Sequence, residues 1–164
     1  MNSSDVADAF RQCARRIAST VAVIAAADAK GGTAMTATSI STLSMDPPAV
    51  LICVNKRASL FGVLERDAEF SVNFLSVGQE ELARLCSDAT SREKRYLDPA
   101  FAHGDECHAP TVSGAVANLI CKQVRTISYG SHVVIIGEVK AVQSGGSAPL
   151  LYSDGKYCQL AVAT

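Results

Sequence analysis

Three short stretches of this chain hold side chains whose type and spacing suit chemistry. Met35 is followed by Thr36, Ala37, Thr38 and Ser39, compact residues with three hydroxyls at the point where a β-prone run gives way to a loop. Small side chains let a flat ligand approach the backbone amides, and hydroxyls can reach a phosphate. An ordinary threonine-rich strand has the same composition, because Thr favours sheets. In the second stretch, Asn55-Lys-Arg-Ala-Ser59, two cations and a hydroxyl precede a helical pattern. The first amides of a helix carry partial positive charge, which makes Ser59 a candidate phosphate ligand; Lys56 and Arg57 read equally well as a solvated turn. The third is His132, between Gly130-Ser131 and the apolar run 133–139, where an imidazole can orient a ligand or serve as a hydrogen-bonded strand end.

Other polar clusters say less. His103, Asp105, Glu106, Cys107 and His108 are metal-type ligands crowded into one segment, but matching ligands elsewhere are missing, so no metal is expected. The six cysteines, at 13, 53, 86, 107, 121 and 158, form no C-x-x-C pair and read as reduced core thiols. A net charge of −1 provides no field for nucleic acid or an anionic membrane, and neither is an expected partner. The longest apolar runs are too short to span a bilayer and the N-terminus begins polar, so a cytoplasmic protein is expected.

The elements that must position these residues can be read from periodicity. Val6, Phe10, Cys13 and Ile17 form one apolar face of a helix over residues 5–18, capped by Ser3 or Ser4 and expected over the end of a sheet. Residues 21–27 and 33–39 read as strands around the turn 28–32, whose glycines can adopt positive φ. Residues 49–55, directly after Pro47-Pro48, read as a central buried strand. Next come a short helix over 59–66, a strand over 69–75, and a helix over 79–86 with Leu82 and Leu85 inward. Residues 90–114 read as a long surface excursion; strands follow at 115–124, 132–142 and 150–160, the last a hairpin turning at Asp154-Gly155. Many short strands without strand–helix alternation predict one mainly β domain over residues 1–164, a closed antiparallel barrel. Neither G-x-G-x-x-G nor G-x-x-x-x-G-K-[ST] occurs, so a Rossmann or P-loop nucleotide site is not expected.

Read together, these motifs resemble the short-chain NAD(P)H:flavin oxidoreductases, which supply reduced flavin to two-component monooxygenases. The likeness runs from about residue 17 to 160: T-A-T-S at 36–39, S-x-D-P-P beginning at Ser44, and C-V-N at Cys53, Val54 and Asn55. In that family this segment wraps FMN or FAD. Asn55 and Ser59 match the phosphate turn, whereas Leu60 and Phe61 stand where polar residues are usual. Arg95-Tyr96 matches a basic-aromatic pair that approaches the flavin, and Gly130-Ser131-His132 matches G-D-H, with Ser131 in place of the acid. The segment 149–157 matches P-L-x-Y-x-x-G-x-Y, which brings in Tyr152 and Tyr157 as flavin-side, core or interface residues.

The resemblance implies a FMN-binding split β-barrel, a homodimer with flavin sites across it, NADH or NADPH as hydride donor, and a separate oxygenase receiving reduced flavin. His132 is the implied catalytic residue. Its alternatives are a reductase of another acceptor such as a corrinoid, and a flavin-binding module without catalysis.

Overall fold

The computed structural model describes residues 2–28, 31–65, 69–103 and 109–161. Its first element, α1 (Ser3–Arg15), is capped by Asn2 rather than by Ser3 or Ser4. The Asn2 side chain accepts from the Asp5 amide and the Asp5 carboxylate accepts from the Asn2 amide, a reciprocal box that satisfies two otherwise free donors. The apolar face of α1 does not pack over a sheet end as its periodicity predicted: Phe10 is 71% exposed and Ile17 66%. What holds α1 to the barrel is its C-terminal end, where Arg15 O accepts from the Asp154 amide at 2.6 Å and Arg16 O from Ser153 Oγ at 3.3 Å.

Seven antiparallel strands form the main sheet. They are β2 (Ala22–Asp28), β3 (Gly31–Ala37), β4 (Ile40–Met45), β5 (Pro48–Asn55), β6 (Glu69–Phe74), β9 (Ala117–Tyr129) and β10 (His132–Ser144), in the order β3-β2-β6-β9-β10-β5-β4. The two edge strands, β3 and β4, are consecutive in sequence and separated only by Thr38 and Ser39. The sheet therefore curls back on itself as a split barrel, and Leu60, Val63 and Leu64 of α2 (Ser59–Leu64) join Ile24, Ile52 and Phe70 in its core. A second core lies outside β2 and β3, where Val21, Val23 and Ala34 meet Leu82, Ala83 and Cys86 of α3 (Glu80–Ser87). Because β2 is buried on both faces, it reads as an unbroken apolar run without alternation.

Remaining elements complete the frame. A short strand β1 (Ser19–Thr20) pairs with β11 (Leu151–Ser153), which pairs with β12 (Lys156–Cys158). Their hairpin turns at Asp154 and Gly155, both with positive φ, as the Asp-Gly pair predicted. The excursion contains α4 (Arg92–Tyr96) and the small ladder of β7 (Phe101–Ala102) with β8 (Thr111–Val112). No helix among the described residues is long and apolar enough to cross a membrane.

Several expectations shift. Residues 40–45 form an edge strand rather than a loop, since their serines and threonines lie on a partly exposed ribbon that requires no apolar alternation. This puts β5 one strand from the edge, with its inner face buried, instead of at the centre. On α3 the buried residues are Leu82, Ala83 and Cys86, while Leu85 is half-buried. The ninth strand runs on to Tyr129 and turns through Gly130, at φ +53°, and Ser131 straight into β10. Of the candidate metal loop 103–108, all but His103 lies outside the described residues, as do residues 29–30 of the first turn.

Candidate functional site

On the outer side of the β5–β10 ladder, α1 overhangs a cleft of about 990 Å³. Its construction follows from the β alternation. Val50, Ile52 and Val54 point into the barrel, so Leu51 and Cys53 point outward into the cleft. Across the ladder, Val134 pairs with Cys53 and His132 with Asn55, which brings the His132 ring to the same outer face at the end of β10. Thr38 and Ser39 enter from the β3–β4 break, where Ser39 O accepts from the Cys53 amide at 3.0 Å. Ser131 Oγ stands 2.9 Å from His132 Nδ1, and among the described residues no hydrogen bond is made by Nε2.

Four sequence candidates thus converge on one cleft: Thr38, Ser39, Cys53 and His132. A neighbouring recess of about 180 Å³ adds Thr36, Ala37 and Tyr157, with Thr38 and Tyr152 shared between the two. Thr36 is committed, however, since its hydroxyl donates to Ala83 O at 2.6 Å and ties β3 to α3. The Tyr157 ring meets Tyr152 edge-on with centroids 5.3 Å apart and lies under the Arg84 guanidinium at 4.8 Å. Its partial burial raises the phenol's pKa above the ordinary value.

Other candidates lie elsewhere. Val54 is fully buried in the barrel core and Met35 packs against that core. Ser44 Oγ accepts from the Asp46 amide within the β4–β5 turn, and Asn55 Oδ1 accepts from the Arg57 amide. Ser59 Oγ is 3.1 Å from the buried Thr33 hydroxyl, while Lys56 Nζ donates to Gly130 O at 2.9 Å. Arg95 is 5% exposed, with its guanidinium donating to Ala34 O at 3.0 Å and to Asp88 O; it braces β3 from behind. Beside it the Tyr96 ring lies where a Cβ on Gly32 would sit, which makes glycine necessary at that position.

Sequence reasoning passed over two cleft residues, Arg11 and Arg15 of α1. Their signal was present at residues 7, 10, 11, 14 and 15, a helical stripe overlapping the apolar face already noted. The lining includes the cations Arg11 and Arg15, several hydroxyls and the apolar groups Phe10, Ile40 and Leu51, with no carboxylate among the described residues. Such a lining suits a flat ring carrying anionic groups.

The Flavin reductase like domain matches residues 14–161. The chain belongs to that family. The chain is 36% identical over 155 residues to the "FADH(2)-dependent resorcinol hydroxylase, reductase component" of Rhizobium sp. (strain MTP-10005), covering 91% of this chain and 84% of the relative. It is 31% identical over 156 residues to the FMN reductase (NADH) RutF of Acinetobacter baylyi, covering 92% and 80%. Among solved structures, the NADH:FAD oxidoreductase SgcE6 of Streptomyces globisporus C-1027 superposes with a TM-score of 0.89 at 28% identity, covering 100% of this chain and 98% of that one.

Proposed function

We infer that this protein is the reductase half of a two-component flavin-dependent system. It is an oxidoreductase that reduces FMN or FAD with NAD(P)H and supplies the reduced flavin to a separate monooxygenase. The observation that carries this reading is the convergence of Thr38, Ser39, Cys53 and His132 on a cleft whose lining is hydroxyl-rich, partly apolar and cationic. Bound there, the flavin supplies the hydride acceptor.

The residues' roles follow from their chemistry. Thr38 and Ser39 hold polar edges of the ligand, Leu51 and Cys53 form the floor against a flat ring, and His132 orients the nicotinamide through Nε2 while Nδ1 meets the Ser131 hydroxyl. Hydride transfer between stacked rings requires no protein base, so positioning is the main demand on the chain. Among the earlier candidates, Met35, Ser44, Val54, Asn55, Ser59 and Arg95 are assigned to shaping the strands and turn around the site. The five described cysteines are free thiols, in keeping with a reducing cytoplasm.

The working form is proposed to be a homodimer of this single domain. Phe10, Met45 and Tyr129 are 71%, 81% and 84% exposed, and this much apolar surface on α1, β4 and the β9 end calls for a covering partner. A cleft open on one side also favours an exchangeable ligand with a micromolar dissociation constant, about −8 kcal/mol.

Loss of reduced-nicotinamide absorbance, with and without added FMN or FAD, tests the catalytic reading. Oxidation that requires added flavin is expected, and no oxidation with either nucleotide would sink it. Gel filtration should give a dimer, and extensive dialysis a flavin-poor protein; a flavin that survives dialysis and is reduced in place would favour the bound-cofactor alternative.

A further inference from the structure

The turn 55–59 was the sequence's candidate phosphate seat, yet none of its side chains lines the cleft. Ser59 faces Thr33 and Lys56 is held by Gly130 O. The cleft's cations come instead from α1. Ala7, Phe10, Arg11, Ala14 and Arg15 recur at helical spacing along the wall that faces the sheet. Two of these are alanines, which leave room between helix and sheet, and two are arginines, whose planar donor forks suit phosphate oxygens. Arg15 makes no ion pair among the described residues, and its Nη2 lies over the β11–β12 turn, 3.3 Å from where a Cβ on Gly155 would be. Arg11 meets Asp8 at 2.6 Å, but both side chains are largely exposed, and such a surface pair gives way readily to a phosphate partner.

We propose that Arg11 and Arg15 form the phosphate-binding wall of the cleft, taking the phosphate or pyrophosphate of a bound nucleotide. The assignment rests on the reductase reading and names residues that reading does not require. It makes α1, which is hydrogen-bonded to the β11–β12 hairpin at Arg15 and Arg16, a binding element as well as a dimer surface. Because the arginines are exposed, the interaction weakens as salt rises.

The test is calorimetric titration of riboflavin, FMN, FAD and ADP-ribose into the wild type, the Arg11→Gln/Arg15→Gln double variant and Arg16→Gln, which changes a neighbouring charge outside the cleft. At low ionic strength the double variant should lose about tenfold or more in affinity for phosphorylated ligands, while riboflavin and the Arg16→Gln protein stay at wild-type values. A loss for FMN and FAD identifies the flavin phosphate as the ligand group; a loss for ADP-ribose identifies the nicotinamide dinucleotide. Unchanged affinities in the double variant overturn the assignment while leaving the reductase reading intact. Riboflavin weakened by the same factor as FMN also overturns it, since that marks a general loss of cleft shape. A wild-type protein that binds none of the four ligands ends both readings.

Discussion

Replacing Thr36 by valine separates two roles that one residue type can play in a hydroxyl-rich segment. The Thr36 hydroxyl donates to Ala83 O at 2.6 Å across the β3–α3 contact, in a partly buried setting. Valine keeps the branched shape and the β preference, so Thr36→Val removes little besides the hydrogen bond. A typical intramolecular hydrogen bond contributes about 1 kcal/mol net, and for a domain of this size that lowers Tm by roughly 2–4 °C. Flavin affinity should change little, because the hydroxyl faces α3. Thr38→Val and Ser39→Ala should do the reverse, since both side chains line the large cleft: flavin affinity falls several-fold while Tm holds. Thermal unfolding by circular dichroism and flavin titration by fluorescence quenching measure the two quantities on the same samples. A Thr36→Val protein with wild-type Tm and flavin affinity tenfold weaker would refute the division of labour drawn from the geometry.

His132→Ala should lower kcat/KM for the reduced nicotinamide by roughly tenfold to a hundredfold with flavin affinity nearly intact; wild-type kinetics would make His132 a strand-end residue only. Gly137→Ala would set a Cβ 2.4 Å from the buried Phe70 ring, an overpacking that costs about 1–3 kcal/mol, and Phe70→Leu in the same chain should recover part of the lost Tm. Hydrogen bonds from the Ser91 hydroxyl and from the Thr90 amide and hydroxyl hold the Asp88 carboxyl down at about 2, from 3.8. Its contribution to stability is therefore fully present above about pH 3.8 and is lost as pH falls through about 2. Asp88→Asn should be less stable than wild type at neutral pH, with the gap in denaturant midpoint narrowing across that window; a constant gap would contradict the assignment.

Local rules were enough to read much of this protein from its sequence. Apolar spacing marks α1, α2, α3 and most strands, Asp154-Gly155 marks its own hairpin, and the runs around Thr36, Pro47-Pro48 and His132 carry the family resemblance. These signals are legible because turn chemistry and periodicity act within a few residues. What a side chain faces depends on which strands become neighbours. Thr36 and Thr38 are two residues apart, yet the first is spent on Ala83 O and the second opens on the cleft. Arg95 looked like a ligand contact and is a buried brace, because α4 packs behind β3 and turns the guanidinium toward main-chain carbonyls. Arg11 and Arg15 carried no reading from the sequence, and the anchoring of α1 to the β11–β12 hairpin brings them over the outer surface of β5 and β10. Strand β4 escaped detection because an edge ribbon with polar sides carries no burial pattern to read. Chemistry-bearing types can be named from the chain alone, but their convergence on one cleft is a property of long-range pairing and helix docking, which no local window contains.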